Sequence, residues 1–270
     1  MRTPATQQTG LQLTPRDKKL LFNLDAWRVL GLGQLVALGM SDQLVRSELV
    51  DRFFNKIDRE DYWHGVQKRI AALEAAGFIK AHYFHRQPKA YTLTFRGLTA
   101  LRGGPSHREG RSFVSAAIID HELAVAGVGL VLNEILGVPA ARETAKAIWK
   151  TPPHRGHVAV QNAADLWISP PPIGMAVEVE LTQKSAKRYA EIFENYRRRL
   201  GREEVLLYLT GWPNGSNMIL QRARDHRAPF VYACSLDEFR AACGRSTFRG
   251  AVTGRTVTLG TSPFQSEVGR

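Results

Sequence analysis

Residues 165 to 187 read DLWISPPPIGMAVEVELTQKSAK, and this stretch decides how the second half of the chain folds. Two apolar segments flank a Pro-Pro-Pro-Ile-Gly turn, which predicts two strands folded back on each other. Because side chains alternate along a strand, Glu178 and Glu180 share one face of the second strand with Ala176. Asp165 opens the first strand, so we expect its carboxylate to lie beside the two glutamates.

Neighbouring carboxylates repel each other, so this arrangement does not serve the stability of the strand. A divalent cation would remove the repulsion, since Mg²⁺ is held by one or two carboxylates together with water and substrate phosphate. The pattern therefore predicts a Mg²⁺ site at Asp165, Glu178 and Glu180. Lys184 follows and would stabilise charge that develops on a phosphate, and Lys187 is also within reach of an anion. The alternative is the solvated face of an edge strand, with the lysines as ion-pair partners.

The composition of the chain is that of a globular protein with an excess of positive charge. It has 270 residues, 44% hydrophobic and 23% charged, with a formal net charge of +12 and a pI near 10.0. Length allows one large domain or two small ones, and the charge favours a polyanionic partner, although a merely basic protein is the alternative. No long apolar run predicts a membrane span and no signal pattern predicts export, so we expect a cytoplasmic protein. Cys234 and Cys243 form neither a disulfide framework nor a zinc cluster.

The N-terminal part reads as helices followed by a basic hairpin. Thr14 and Pro15 predict the start of a first helix, and an amphipathic helix runs from Asp61 to a glycine C-cap at Gly77. Two strand-like runs then surround a turn at 86–89, and Phe95–Leu101 predicts a closing helix. The phrases RIAALEAAGFI and YTLTFRGLTAL resemble the recognition helix, wing and closing helix of a winged helix-turn-helix. The resemblance covers about residues 14–102.

This resemblance implies contacts with double-stranded DNA from the long helix and the wing. Phosphate contacts would position the module, while base contacts from the helix would specify the sequence. A winged helix that contacts protein instead, with a solvated basic face, is the alternative. The candidate DNA-binding residues are Arg59, Gln67, Lys68, Arg69, Lys80, His82, His85, Arg86 and Lys89.

Residues 103–112 are rich in glycine and charge, which predicts a linker between two domains. The second domain, residues 113–244, alternates helix and strand signals and is expected to be a three-layer α/β domain. Residues 245–270 are expected to form an edge strand or a loose tail. The predicted helices are 112–136, one that starts near 186 with Thr182 as its cap, 216–226 and 236–243; the predicted strands are 158–160, 165–168, 175–181, 205–210 and 230–234.

This order of elements resembles the restriction-endonuclease fold, whose signature is Pro-Asp, a spacer and then (Asp/Glu)-x-Lys. Asp165 matches the aspartate and Glu178 the acidic position. The sequence departs from the signature twice, because Ala164 replaces the proline and Glu180 stands where lysine is expected. A lysine that has moved to Lys184 or to position 187 would restore the set.

Most of the chain also resembles the replication-relaxation family, through the phrases LTPRD, DHEL, DLWI and VEVE. The resemblance implies a DNA-handling protein of a mobile element, with a relaxase or a replication protein as a partner. A winged helix that reads a palindrome favours a homodimer. In the endonuclease fold the first helix often adds an acidic residue to the metal, for which Glu122 and Glu134 are the candidates. His121 is a further candidate, and a core or capping role is the alternative for Glu122 and His121.

Two functions follow from these patterns. The first is a Mg²⁺-dependent DNA endonuclease or nickase. The second is a catalytically inactive DNA-binding accessory or regulatory factor, whose endonuclease-like domain serves as a scaffold for dimerisation or for a partner protein. An enzyme acting on small molecules finds no support, since the sequence has no phosphate loop, nucleophile elbow or cofactor fingerprint.

Overall fold

The protein has a mixed α/β fold in which helices and a small antiparallel sheet precede a seven-stranded mixed sheet. The computed structural model describes residues 11–54, 64–83, 89–102, 118–142, 164–168, 174–252 and 254–259. The predicted linker at 103–112 and the predicted strand at 158–160 lie outside these residues. None of the helices that are described is long and apolar enough to cross a membrane.

The first helix, α1 (Pro15–Trp27), begins as its sequence predicts. The Thr14 side chain accepts a hydrogen bond from the Asp17 amide, and the Asp17 side chain accepts one from the Thr14 amide, which completes a capping box. Strand β1 (Leu30–Gly31) follows, and then helices α2 (Leu32–Gly39) and α3 (Arg46–Phe53). No local pattern in the sequence predicts α3.

The long helix and the two paired strands that the sequence predicts follow α3, while residues 86–88 of the predicted turn lie outside the described residues. Helix α4 (His64–Ala75) precedes strands β2 (Ile79–His82) and β3 (Ala90–Leu93), and helix α5 (Phe95–Arg102) closes the unit. Strand β3 lies between β1 and β2 and is antiparallel to both. The predicted first turn of the long helix, 61–63, lies outside the described residues.

The large sheet has the strand order β10-β9-β8-β7-β6-β5-β4. Neighbouring strands are antiparallel except for β6–β7 and β7–β8, which are parallel. Each parallel pair is joined by a helix, as a parallel connection requires. The strands are β4 (Ala140–Arg142), β5 (Leu166–Ile168), β6 (Met175–Glu180), β7 (Val205–Thr210), β8 (Val231–Ser235), β9 (Thr247–Gly250) and β10 (Thr256–Thr258). The helices are α6 (Ile119–Leu130), α7 (Ala186–Arg199), α8 (Gly215–Asp225) and α9 (Leu236–Ala241).

Several details of this half differ from the sequence prediction. Helix α6 ends in a π-helical turn, Val131–Ile135, rather than running regularly to 136. Ser185, not Thr182, caps α7, because its side chain accepts a hydrogen bond from the Arg188 amide. Strand β4 was not predicted; the side chain of Asn133 bonds both backbone groups of Ala140 and holds the strand in place. The expected edge strand after 245 is the hairpin β9–β10.

Apolar side chains cover both faces of the large sheet. On one face, α7 and α8 pack over Ala176, Leu206 and Tyr208. On the other face, a larger cluster runs from β6 and β7 through α6 into α1, α2 and α3. The Gln34 side chain joins the halves by donating to the carbonyl oxygens of Phe53 (2.7 Å) and Leu123 (2.9 Å). The N-terminal helices and the large sheet therefore share one hydrophobic cluster.

Candidate functional site

The carboxylates that the sequence singles out come together where β5 begins beside β6. Leu166 pairs with Val177 in the antiparallel register, so Asp165, one residue earlier, lies opposite Glu178. Paired residues project to the same side of a sheet, and Glu180 is on that side of β6 as well. The predicted neighbourhood of Asp165, Glu178 and Glu180 is therefore observed.

Asp165 is held by one backbone and one side-chain group. Its Oδ2 atom accepts a hydrogen bond of 2.8 Å from the Val179 amide and lies 3.2 Å from Nε2 of His121. His121 is in the first turn of α6, and the hydrogen bond to Asp165 raises its pKa above the ordinary value. The His121 side chain is 37% exposed, against 14% for Asp165, so the histidine forms the solvent side of this pair.

Glu178 is bonded from α7, which crosses the same face of the sheet. The Tyr196 hydroxyl donates a hydrogen bond of 2.6 Å to Oε1 of Glu178. Burial, and then the nearby charge of Asp165, raise the pKa of Glu178 to about 8, although the Tyr196 hydrogen bond opposes the shift. Burial and the neighbouring charge therefore both disfavour the ionised form of Glu178, and a proton or a cation at this carboxylate would offset that cost.

Glu180 has a different partner. The Lys184 ammonium donates to Oε2 of Glu180, and the Glu180 side chain is 5% exposed. Burial raises the pKa of Glu180, while the Lys184 ion pair opposes the shift. The Lys184 amide donates to the Tyr189 hydroxyl over 3.0 Å, so the lysine backbone is fixed against α7. Sequence reasoning placed Lys184 at the site, and the structure brings it there as the partner of Glu180.

Anion-attracting groups adjoin the carboxylates. Lys184 directly precedes Ser185, the N-cap of α7, and Lys187 is in the first turn of that helix. The N-terminus of a helix carries partial positive charge, and its amides suit phosphate oxygens. Lys187 is exposed and makes no hydrogen bond or ion pair among the described residues.

Two residues with hydroxyl groups on β7 are the strand neighbours of the glutamates on β6. In the parallel register, Glu178 pairs with Tyr208 and Glu180 with Thr210. Among the described residues, neither the Tyr208 hydroxyl nor Oγ1 of Thr210 has a hydrogen-bond partner, and both atoms are buried. Leaving a buried hydroxyl without a partner costs about 1–3 kcal/mol, so two such groups beside a carboxylate cluster indicate an unmet polar interaction.

Asp165 and Glu178 supply carboxylate oxygens, the ligand type that Mg²⁺ prefers. Within the described ranges, no three His, Cys, Asp or Glu side chains are arranged so that they could hold a metal ion together. The predicted metal site of three carboxylates is therefore not found among these residues, and Glu180 is paired with Lys184 instead. Mg²⁺ needs only one or two carboxylates when waters and phosphate complete its octahedron, and Asp165 with Glu178 supplies that number.

The acidic residues of the first helix lie elsewhere. Glu122 is buried and receives both terminal nitrogens of Arg142, with 3.0 Å between Nη2 and Oε1, and Arg28 lies 3.9 Å from it. Glu134 is paired with Lys19 at 3.1 Å. Neither candidate from the endonuclease resemblance therefore reaches the carboxylate cluster, whereas His121 does.

One residue of the predicted DNA surface serves the interior instead. Arg69 was expected on the exposed side of α4, but its guanidinium binds both carboxylate oxygens of Asp17, at 2.8 and 2.5 Å. Asp17 is fully buried, so Arg69 neutralises a buried charge and fastens α4 to the start of α1. Its role as a DNA contact stays a prediction, and the structure adds this ion pair to it.

The other predicted DNA contacts fall into three groups. Lys68 and Lys80 are exposed, and Gln67, which precedes Lys68, is half-buried. Lys89 lies against the rings of Tyr83 and Tyr91 and 3.3 Å from Glu74. Burial lowers the pKa of Lys89, but hydrogen bonds to Tyr83, Tyr91 and Glu74 outweigh burial and raise it. His82 lies 2.9 Å from the Thr92 hydroxyl, and burial lowers its pKa. Arg59, His85 and Arg86 lie outside the described residues.

Sequence reasoning missed Tyr196 and Tyr208 as members of the site. Tyr189, Phe193 and Tyr196 recur at helical spacing, which signals only a buried stripe. Tyr208 lies in a continuous apolar run, where its hydroxyl gives no periodic signal. Only the packing of α7 and β7 against β6 brings the Tyr196 hydroxyl to Glu178 and places Tyr208 beside Glu178 in the sheet.

These residues define a mixed α/β protein with a carboxylate cluster on one face of its large sheet. No family model matches the chain, and no curated protein matches it. A solved structure that does match is that of the protein VC1899 from Vibrio cholerae, with a TM-score of 0.35 and 11% sequence identity. The match covers 87% of this chain and 56% of that one, so this chain spans little more than half the length of VC1899.

Proposed function

We propose that this chain binds double-stranded DNA and hydrolyses its phosphodiester bonds with the help of Mg²⁺. The observation that carries the proposal is the pairing of Asp165 with Glu178 across β5 and β6, beside the ion pair of Lys184 with Glu180. Carboxylates for a metal and a lysine for phosphate are the groups that this hydrolysis needs. The elements α6, β4, β5, β6, α7 and β7 follow in the order expected of a restriction-endonuclease-like domain.

Each residue has a defined task in this proposal. Asp165 and Glu178 would hold the ion, which supplies Lewis acidity and lowers the pKa of an attacking water. The Val179 amide and His121 orient Asp165, and the Tyr196 hydroxyl orients Glu178. Lys184 would exchange its contact with Glu180 for a phosphate oxygen, where its charge stabilises the transition state.

The N-terminal part would deliver the DNA. Helix α4, the hairpin β2–β3 and helix α5 support a winged helix-turn-helix, with Lys68 and Lys80 as exposed phosphate contacts. The resemblance to the replication-relaxation family extends this proposal to a plasmid or another mobile element, with a relaxase or replication protein as partner and a homodimer as the binding unit.

A nicking assay on supercoiled plasmid tests the proposal. Wild type should nick in Mg²⁺ and not in a chelator, and Asp165→Asn should lose nicking while it still retards DNA in a gel. Glu191→Gln, which changes an exposed carboxylate on α7, is the matched control and should behave as wild type. Nicking by Asp165→Asn at the wild-type rate would show that the carboxylate cluster is not the catalytic centre.

A second function is favoured by a specific observation. Each of the three carboxylates already accepts a hydrogen bond from the protein, and Glu180 is neutralised by Lys184. Such a set also suits an inactive DNA-binding accessory factor, in which the cluster holds β5, β6 and α7 together. That function predicts retarded DNA, no nicking and no binding of Mg²⁺ by calorimetry.

A further inference from the structure

The hydroxyl of Tyr208 is a buried polar group that the proposed function leaves unexplained. Tyr208 is in the middle of β7, the central strand of the large sheet, and its side chain is fully buried. Its hydroxyl has no hydrogen-bond partner among the described residues. The atom is also closed to water, so solvent does not satisfy it.

The surroundings of this hydroxyl are acidic. Tyr208 pairs with Glu178 in the parallel register of β6 and β7, so both side chains project from the same face. Burial first, and then the charges of Glu178, Glu180 and Asp165, raise the pKa of Tyr208 well above its ordinary value. The tyrosine therefore keeps its proton and remains a hydrogen-bond donor throughout the ordinary pH range. The charged groups that act on it are carboxylates, which accept hydrogen bonds.

Glu178 has one oxygen bound by a tyrosine already. Tyr196 donates to Oε1 from α7, and Tyr208 is the neighbour of Glu178 on the adjacent strand β7, on the same face of the sheet. An oriented hydrogen-bond donor on a carboxylate strengthens it as a metal ligand, so a second donor would favour the cation-bound form of Glu178.

We propose that Tyr208 is a positioning residue, whose hydroxyl donates a hydrogen bond to Glu178 when that carboxylate turns to hold a divalent cation. The inference rests on the proposed function, because it requires a cation at Asp165 and Glu178. It assigns the unsatisfied hydroxyl to the cation-bound state, in which the second donor stabilises the ionised form of Glu178. Tyr196 serves both states, and Tyr208 serves only the bound one.

The experiment measures two quantities on wild type, Tyr208→Phe and the control Tyr232→Phe. Tyr232 is also a buried tyrosine on a central strand, but it belongs to the cluster on the opposite face of the sheet. Calorimetry with Mn²⁺ and Mg²⁺ gives the affinity, and thermal unfolding with and without the cation gives the stability. Neither quantity depends on turnover.

Loss of one hydrogen bond to a charged group corresponds to a roughly tenfold weaker affinity, which is the expected result for Tyr208→Phe. Its melting temperature without cation should equal or exceed that of wild type, because the substitution removes an unsatisfied group. Tyr232→Phe should keep the wild-type affinity.

Three results would overturn the inference. Equal cation affinity in Tyr208→Phe and wild type would remove the role of Tyr208 and leave the metal site intact. A lower melting temperature of Tyr208→Phe without cation would make the hydroxyl a structural group of the resting protein. No cation binding by wild type would refute the proposed metal site, and the inference with it.

Discussion

The Tyr196 hydroxyl donates a 2.6 Å hydrogen bond to Oε1 of Glu178 and so fixes the orientation of this carboxyl group. Burial raises the pKa of the same group. Helix α7 thereby sets the geometry of a residue on β6. The pair also links the ionisation of the candidate site to the stability of the fold.

Stability should fall as pH rises through the neutral range, in a way that depends on Glu178. Its pKa of about 8 in the folded protein exceeds the ordinary value of 4.5. Between these values the folded state binds the extra proton, so the free energy of unfolding decreases with pH, by at most about 1.4 kcal/mol per pH unit for one proton. Thermal melts of wild type and Glu178→Gln from acidic to mildly basic pH measure this contribution as the difference in melting temperature between the two proteins at each pH.

The difference between the two melting curves should level off above the folded pKa. Millimolar Mg²⁺ should diminish it in wild type, because a bound cation stabilises the ionised carboxylate. Parallel melting curves for wild type and Glu178→Gln over the whole range would contradict the raised pKa.

Arg69 and Lys68 are adjacent on α4, but substitution of Arg69 should lower stability, whereas substitution of Lys68 should weaken DNA binding. Arg69→Ala leaves the fully buried Asp17 without its cation, and breaking a buried pair costs about 3–5 kcal/mol. Lys68→Ala, at an exposed position, should leave stability unchanged, weaken DNA binding and reduce its dependence on salt. Urea unfolding and gel retardation at several salt concentrations measure both effects; a stable Arg69→Ala protein with weakened DNA binding would reverse the assignment.

Removing one partner of the Glu122–Arg142 ion pair should lower stability much more than replacing both partners. Both side chains are about 10% exposed, and Arg142 also lies 3.4 Å from the carbonyl oxygen of Trp27 in α1. Arg142→Met should destabilise the protein by about 3–5 kcal/mol, since it leaves the buried Glu122 charge with only the more distant Arg28, 3.9 Å away. The double variant Glu122→Met with Arg142→Met should recover most of that loss in chemical unfolding. A double variant as unstable as the sum of the single ones would show that the charges themselves are needed.

Gly129 and Gly65 form a matched pair of helical glycines. A Cβ at Gly129 would overlap the buried ring of Trp27, whereas one at Gly65 meets nothing within 4 Å. Gly129→Ala should therefore destabilise the protein by about 1–3 kcal/mol, despite the better helix propensity of alanine. Gly65→Ala should stabilise it by up to about 1 kcal/mol. Melting temperatures that move in the same direction would mean that Trp27 has room to shift.

Local patterns predicted most of the regular elements, and their failures have physical reasons. Alternation in 175–181 and the apolar run 205–210 predicted β6 and β7, because strand periodicity and burial are written along the chain. Strand β4 has only three residues, too few to show a periodic pattern in the sequence. The strand is held by Asn133, which is seven residues from Ala140. The cap of α7 was assigned to Thr182 instead of Ser185, since both residues suit the position and only backbone geometry separates them.

The sequence by itself determined that Glu178 and Glu180 share a face of β6 and that Asp165 opens the neighbouring strand. Periodicity needs no partner, so it can be read from the chain alone. The position of Lys184 shortly after β6 also follows from the sequence. Only the tertiary structure decided which groups from other elements those carboxylates meet: Tyr196 from α7 and His121 from α6. It also turned Arg69 inward to Asp17, 52 positions away in the chain. A hydrogen bond or an ion pair depends on distances between elements, and these are fixed only when the elements pack.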